Sequence, residues 1–206
     1  MNTNPHIGTY VSVDIETTGL NPENCQILEI GAVIDDGTTP IEDCPTFHCY
    51  VEHGLILGEP FAVSMHQTIL HRIATREEGY TYLSVWDVAF RFRDFLKQHG
   101  LDPENEKIVV AGKNYASFDA HFLSNLTSWD KHIKTHHRIL DPAALYWQPE
   151  TDGVKLPDTK TCMQRAGISG EVAHTALEDA TLVVRLIRHA IADRQMLDLG
   201  NVELAS

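Results

Sequence analysis

The first 71 residues contain no lysine or arginine, although ten acidic residues fall in the same segment. The whole chain has a formal net charge of −13. Non-specific affinity for the phosphates of nucleic acids comes chiefly from Lys and Arg side chains. The composition therefore disfavours a protein that follows long stretches of duplex. A segment this acidic would also repel phosphate unless cations intervened.

Long apolar runs are missing too. No stretch of about 18 apolar residues is present that would suggest a membrane span. Residues 1–6 lack the cationic and apolar segments of a secretory signal. The cysteines contain no C-x-x-C pair and are expected to be reduced thiols; they are Cys25, Cys44, Cys49 and Cys162. We expect a cytoplasmic protein without membrane association.

The chain of 206 residues has no internal repeat, low-complexity tract or long linker. Its length is that of one α/β domain, which can bury a core without disulfides. We expect a single domain over residues 1–206, with a core at about 9–192 and a loose tail at about 196–206.

The N-terminal part has the pattern of a strand meander. Residues 9–15 alternate between apolar and polar side chains, which predicts a half-buried strand with Asp14 and Glu16 on its polar face. The segments 26–34 and 46–51 are rich in aliphatic and β-branched residues and predict two further strands.

Helical periodicity follows in the second half. An apolar stripe predicts a helix over 85–96, ended near Gly100. Short strands are predicted at 107–111 and 138–140, with a helix over 115–126 between them. This alternation of strands and helices indicates an α/β fold.

The final helix has a clear start signal. Thr175 to Glu178 has the S/T-x-x-E form of a capping box, and an apolar stripe follows it. His174 should therefore lie just before the helix and Asp179 in its first turn.

Asp14 and Glu16 are two residues apart on a strand, so their side chains project from one face roughly 6 to 7 Å apart along the chain. Carboxylate oxygens suit Mg²⁺ or Mn²⁺ better than zinc. The pair alone is weak evidence, because strands often present acids to solvent. Two further acids, Asp119 and Asp179, stand at the starts of predicted helices, and His174 is close to the second.

These residues lie in three motifs. Asp14 to Gly19 reads D-x-E-T-T-G and precedes the aliphatic strand that holds Glu29 and Gly31. The second motif ends in Phe118-Asp119, and the third is H-x₄-D from His174 to Asp179. In this order the motifs resemble those of the DEDDh exonucleases of the ribonuclease H-like superfamily, and the resemblance covers about residues 9–192.

The resemblance implies a three-layer fold, with a mixed five-stranded sheet whose second strand is antiparallel, flanked by helices. It also implies that four acids bind two divalent ions, Mg²⁺ or Mn²⁺: Asp14, Glu16, Asp119 and Asp179. One ion would activate the attacking water and the other would stabilise the leaving 3′ oxygen. His174 would act as the general base, since an imidazole suits proton transfer near neutral pH.

The implied reaction removes nucleoside 5′-monophosphates from the 3′ end of single-stranded DNA or RNA, or from short oligonucleotides. Six residues resemble positions at which the family meets the terminal nucleotide: Thr17, Leu20, Met65, His66, Asn114 and Phe118. Phe118 is also a candidate for the core. Tyr115 stands where many members have asparagine, while Asn114 lies one position earlier, which puts that substrate contact in doubt.

Basic residues that could hold further phosphates are read as solvated surface charge, namely Lys113, Lys160 and Arg165. The histidines at 132, 136 and 137 are likewise expected to face solvent.

Two alternatives to an exonuclease stay open. The chain could be a non-catalytic or polymerase-associated module of the same fold, although the retained acids disfavour loss of catalysis. It could be a phosphodiesterase acting only on small nucleotides. The motifs also leave a DNA or RNA preference and a homodimer undecided.

Overall fold

A computed structural model describes residues 8–170 and 174–203, with side chains described up to residue 194. Five strands form one sheet in the order β4-β3-β2-β1-β5. Their bounds are β1 Tyr10–Thr17, β2 Ile27–Asp35, β3 Thr46–Glu52, β4 Tyr82–Ser84 and β5 Val110–Ala111.

The second strand runs against all the others. β2 pairs antiparallel with both β1 and β3, whereas β5 pairs parallel with β1 and β4 pairs parallel with β3. The expected mixed five-stranded sheet with an antiparallel second strand is confirmed.

The fifth strand is not the one that the sequence predicted. Residues 138–140 contribute only an isolated bridge between Leu140 and Ala111. The edge position beside β3 is taken instead by β4, whose three residues are too few to show a period-2 pattern. The predicted number of strands is therefore right, but one of the five is a different segment.

Eight α-helices are described: α1 Pro60–Met65, α2 Gln67–Thr75, α3 Val88–Gln98, α4 Asp119–Ser124, α5 Trp129–His132, α6 Pro149–Asp152, α7 Thr159–Arg165 and α8 Ala176–Glu203. Short 3₁₀ helices occupy Ile41–Asp43 and Pro142–Leu145. Among the described helices, none is long and apolar enough to cross a membrane.

The sheet is the middle of three layers. The apolar side chains of β1 pack with Phe92 of α3, Phe122 of α4 and Trp129 of α5 on one face. On the other face α8 packs against the sheet through Val183 and Val184. The alternation of β1 thus turns its apolar side to one helical layer and its acids to α8.

The helix expected over 85–96 is α3, Val88–Gln98, and the other two predicted helices differ more strongly in their bounds. The helix expected over 115–126 is reduced to α4, because Asn114 adopts a left-handed backbone (φ 60) and a turn follows it. Conversely, α8 continues to Glu203, where a loose tail from about 196 was expected. The segment contains no proline, and the helix continues through Gly200. Residues 204–206 lie outside the described part.

The start of α8 is pressed against β2. A Cβ built on Gly31 would lie 2.2 Å from the Ala176 carbonyl carbon and the Leu177 nitrogen. Only glycine permits this approach, so Gly31 sets the distance between the sheet and the first turn of α8.

The four cysteines are buried and free, as expected.

Candidate active site

Asp14 and Glu16 lie near the end of β1, on the face that α8 covers. Both are half-buried, whereas their neighbours Val13 and Ile15 are buried in the opposite face. The hydroxyl of Ser12, on the same face as the acids, donates a 2.8 Å hydrogen bond to the Ala180 carbonyl. The alternation predicted from sequence is therefore the one that directs the two acids toward α8.

Asp119 is the first residue of α4 and is only 3% exposed. Its Oδ1 accepts a 3.1 Å hydrogen bond from the backbone N–H of Ile15, between the two acids of β1. A residue 104 positions away in the sequence is thereby fixed beside the D-x-E pair.

Asp179 lies in the first turn of α8, and its N–H donates to the Thr175 carbonyl at 3.0 Å. His174 precedes the helix with a left-handed backbone, at φ 53, and is exposed. Ligand atoms of Glu16, His174 and Asp179 lie within 4.8 Å of one another. The turn before α8 therefore brings the histidine to the acids, as its position outside the helix had suggested.

The helix start differs in detail from a capping box. The Thr175 hydroxyl donates directly to the Glu178 carboxylate at 2.5 Å. The two side chains of the motif therefore bond to each other, and α8 still begins at Ala176 as expected.

Crowding of the acids shifts their pKa values upward. Burial, followed by the charges of Asp119 and Asp179, raises the pKa of Asp14 well above its usual range. Burial and the charge of Asp179 raise the pKa of Glu16 to about 8. Burial also raises the pKa of Asp119 to about 7. The pKa of Asp179 rises to about 6, again mainly through burial. Without cations, these groups resist full ionisation.

This donor set fits hard divalent cations. The buried Oδ1 of Asp179 has no hydrogen-bond partner. A buried carboxylate oxygen without a partner is costly, and a cation would satisfy it. Carboxylate oxygens with one imidazole and no thiolate favour Mg²⁺ or Mn²⁺. Asp14, Glu16, Asp119 and Asp179 could therefore hold such ions together.

The residues predicted as substrate contacts have different surroundings. His66, between α1 and α2, is 7% exposed, and its Nε2 lies 3.3 Å from Glu16 Oε2. Leu20 and Met65 are large apolar side chains left 74% and 49% exposed. Thr17 is buried and donates its hydroxyl to the Gly19 carbonyl, so its side chain supports the turn.

Asn114 lines a cleft of about 130 Å³, together with Asp14, Lys113, Thr159 and Asp179. Asn114 thus borders the same cleft as two of the acids despite its departure from the family pattern.

Two neighbouring aromatic residues have structural contacts. Phe118 packs at the edge of the core, with its ring 5.0 Å from that of Phe122. Tyr115 is buried in the same core. The structure therefore gives Phe118 the core position that the sequence left open.

Two residues that were predicted to be solvent-facing surface groups are not. Arg165 is not solvated charge, because its guanidinium binds Asp152 through both carboxylate oxygens. His132 is 8% exposed and bonds to Glu104 at 2.7 Å, so it does not face solvent. Both side chains have partners distant in sequence, which local patterns do not reveal.

Sequence reasoning assigned no role to Glu29, although it is 1% exposed and is paired in register with Glu16. The only signal was an acid inside an otherwise aliphatic strand. An acid in such a place is rarely buried without a partner or a function.

The three-layer fold, with its mixed five-stranded sheet, is that of the ribonuclease H-like class. The model of the exonuclease family RNase_T matches residues 11–187. The chain therefore belongs to that exonuclease family, within the DEDDh, DnaQ-like group.

A curated relative is a DNA polymerase III PolC-type from Clostridium perfringens, 26% identical over 197 residues. The match covers 94% of this chain but only 12% of the polymerase. The chain therefore corresponds to a small part of that relative.

Solved structures share the fold. E. coli Exonuclease I in complex with a dT13 oligonucleotide matches with a TM-score of 0.62 and 17% identity, over 93% of this chain and 43% of that one. The nuclease domain of 3'hExo, a DEDDh family member, bound to rAMP, matches with a TM-score of 0.63 and 17% identity. That match covers 92% of this chain and 94% of the domain.

Proposed function

We propose that this protein is a metal-dependent 3′-to-5′ exonuclease. It hydrolyses the terminal phosphodiester bond of single-stranded DNA or RNA and releases nucleoside 5′-monophosphates. The observation that carries the proposal is the assembly of Glu16, His174 and Asp179 within 4.8 Å, with Asp119 bonded to the backbone of the same strand. Family membership supports this activity.

The residues have separate roles in this proposal. Asp14, Glu16, Asp119 and Asp179 hold two Mg²⁺ or Mn²⁺ ions. When bound, such ions activate a water nucleophile and neutralise charge on the phosphate and on the leaving oxygen. His174 takes the proton of the attacking water. Its exposed position in a loop leaves room for that water.

The rim of the site favours an unpaired strand end. Leu20 and Met65 leave apolar surface exposed on which a terminal base can pack, and Met65 directly precedes His66, whose Nε2 lies near Glu16. Asn114 and Lys113 border the cleft on the other side and can meet sugar or phosphate. The net charge of −13 disfavours binding along a duplex, so short or single-stranded ends fit best.

The test is mononucleotide release from end-labelled single strands of DNA and RNA of graded length, with Mg²⁺ or Mn²⁺. Asp14→Asn should abolish release, whereas Asp43→Asn, at an exposed position, should not. His174→Ala should slow release roughly 10²- to 10⁴-fold without changing the fold. His137→Ala is its control, since that histidine is exposed in another part of the chain. Product that is insensitive to EDTA and to Asp14→Asn would refute the proposal.

A polymerase-associated role is a second candidate, favoured by the likeness to a part of a PolC-type polymerase. In that case the chain should bind a polymerase, with or without cleavage of its own. A phosphodiesterase limited to small nucleotides would cleave a dinucleotide and leave longer strands intact. A homodimer and a cytoplasmic location stay predictions.

A further inference from the structure

Glu29 is a buried acid that the proposed mechanism does not use. It lies on β2, directly opposite Glu16 of β1 in the antiparallel register. Opposed residues in an antiparallel pair project from the same face of the sheet. Glu29 therefore shares the face of Asp14 and Glu16. Gly31, two residues along β2, touches the start of α8 on this face.

The two oxygens of Glu29 have different surroundings. Oε1 lies 2.5 Å from Nε2 of His48, a β3 residue whose side chain is 21% exposed. Oε2 is buried and has no hydrogen-bond partner. One side of the carboxylate is thus anchored by a histidine, and the other is left unsatisfied inside the protein.

The charge of Glu29 reaches the metal-binding acids. After burial and the charge of Asp179, Glu29 is the next cause that raises the pKa of Glu16. It also contributes, after larger causes, to the raised pKa of Asp14 and of Asp179. A fifth acid at this position therefore adds repulsion to a cluster that already resists ionisation.

The negative charge of Glu29 has the opposite effect on bound divalent cations. Bound cations are the largest charges in such a site, so a nearby anion that repels carboxylates attracts the ions they hold. Residues that do not themselves bind the ion commonly tune metal affinity. We propose that Glu29 is a positioning residue for the divalent ions, which strengthens their binding at the four acids without itself being a ligand. The inference rests on the proposed function.

A purely structural reading of the same contact makes a different prediction. If Glu29 served only to join β2 to β3 through His48, its loss would destabilise the protein equally with and without metal. If it attracts cations, its neutralisation should relieve repulsion in the metal-free protein and weaken metal binding.

The decisive variant is Glu29→Gln, which keeps the shape and an acceptor for His48 but removes the charge. Mn²⁺ binding is measured by calorimetry, and thermal unfolding is followed at pH 8 in EDTA and in Mn²⁺. The Kd for Mn²⁺ should rise about 10- to 100-fold. The Tm in EDTA should hold or rise, and the increase in Tm on adding Mn²⁺ should shrink. A Kd within twofold of the unmodified protein, or a lower Tm in EDTA with an intact Mn²⁺ effect, would overturn the inference.

Three further variants separate charge from structure. Glu42→Gln removes an equal charge at an exposed position in the β2–β3 connection, at the other end of β2, and should leave Mn²⁺ binding unchanged. His48→Gln removes the anchor but keeps the charge, so it should cost stability and retain most of the affinity. An equal loss of affinity in His48→Gln would contradict the inference. If Glu29→Gln does not fold, Glu29→Asp keeps the charge and must hold the Kd within about threefold.

Failure of this inference is separate from failure of the proposed function. Unchanged Mn²⁺ affinity in Glu29→Gln, with strands still degraded, overturns only the role of Glu29. Absence of Mn²⁺ binding by the unmodified protein would count against the exonuclease mechanism itself.

Discussion

The contact between Gly31 and the start of α8 makes Gly31→Ala a sharp test of the site. The added Cβ would lie 2.2 Å from the Ala176 carbonyl carbon and the Leu177 nitrogen, whereas ordinary contacts begin at 3.4 Å. The neighbours are backbone atoms and cannot rotate away. The first turn of α8 must therefore move by about 1.2 Å, the difference between those distances.

That turn carries Asp179 and follows His174, so the shift displaces both from Glu16. A misplacement of about 1 Å in catalytic geometry can cost roughly 100-fold in rate. Overpacking typically lowers the free energy of unfolding by about 1–3 kcal/mol. We expect a folded Gly31→Ala protein whose rate of mononucleotide release is about 100-fold lower.

The assay compares initial rates on a labelled single strand at saturating Mg²⁺, together with urea unfolding of each variant. Gly54→Ala is the control, because a Cβ at Gly54 has no neighbour within 4 Å. It should leave both rate and stability nearly unchanged. A Gly31→Ala rate within threefold of the unmodified protein would refute the argument that this contact positions the site.

Three further predictions concern stability. Arg188→Ala leaves Asp35, which is 0% exposed, without its cation. It should lower the free energy of unfolding, measured in urea, by about 3–5 kcal/mol. A decrease below about 1 kcal/mol would contradict that interpretation. In EDTA the free energy of unfolding should fall as pH rises from about 4 to 8, because the pKa values of Glu16 and Asp119 are raised to about 8 and about 7 in the fold. Between these pH values the carboxyls are still protonated in the folded protein but already ionised in the unfolded chain, so the folded state is favoured most at low pH. A flat pH profile would argue against the raised pKa values. Mn²⁺ at 100 times its Kd should add about 2.7 kcal/mol of stability, and Asp14→Asn should lose most of that gain.

The placement of the two acids on β1 follows from local chemistry, whereas the order of the strands was implied only by the family resemblance. Side chains alternate along a strand, so the pattern at 9–15 was enough to place Asp14 and Glu16 on one face. The S/T-x-x-E pattern of Thr175 to Glu178 likewise marks the start of α8. It therefore put His174 before the helix and Asp179 in its first turn.

Other features depended on contacts between distant residues. β4 has three residues and gains its place only by pairing with β3. Arg165 and His132 were read as surface groups, yet each bonds to an acid that lies elsewhere in the sequence. No local pattern carries the identity of such a partner.

By itself the sequence determined the α/β class, the family and five residues of the candidate site, because motif spacing and side-chain periodicity are local properties. Only the tertiary structure decided that Glu29 is buried opposite Glu16 and that Gly31 fixes the approach of α8. Burial and close approach depend on which segments meet across the fold. An acid and a glycine in an aliphatic strand acquire those roles only when β1, β3 and α8 are packed around them.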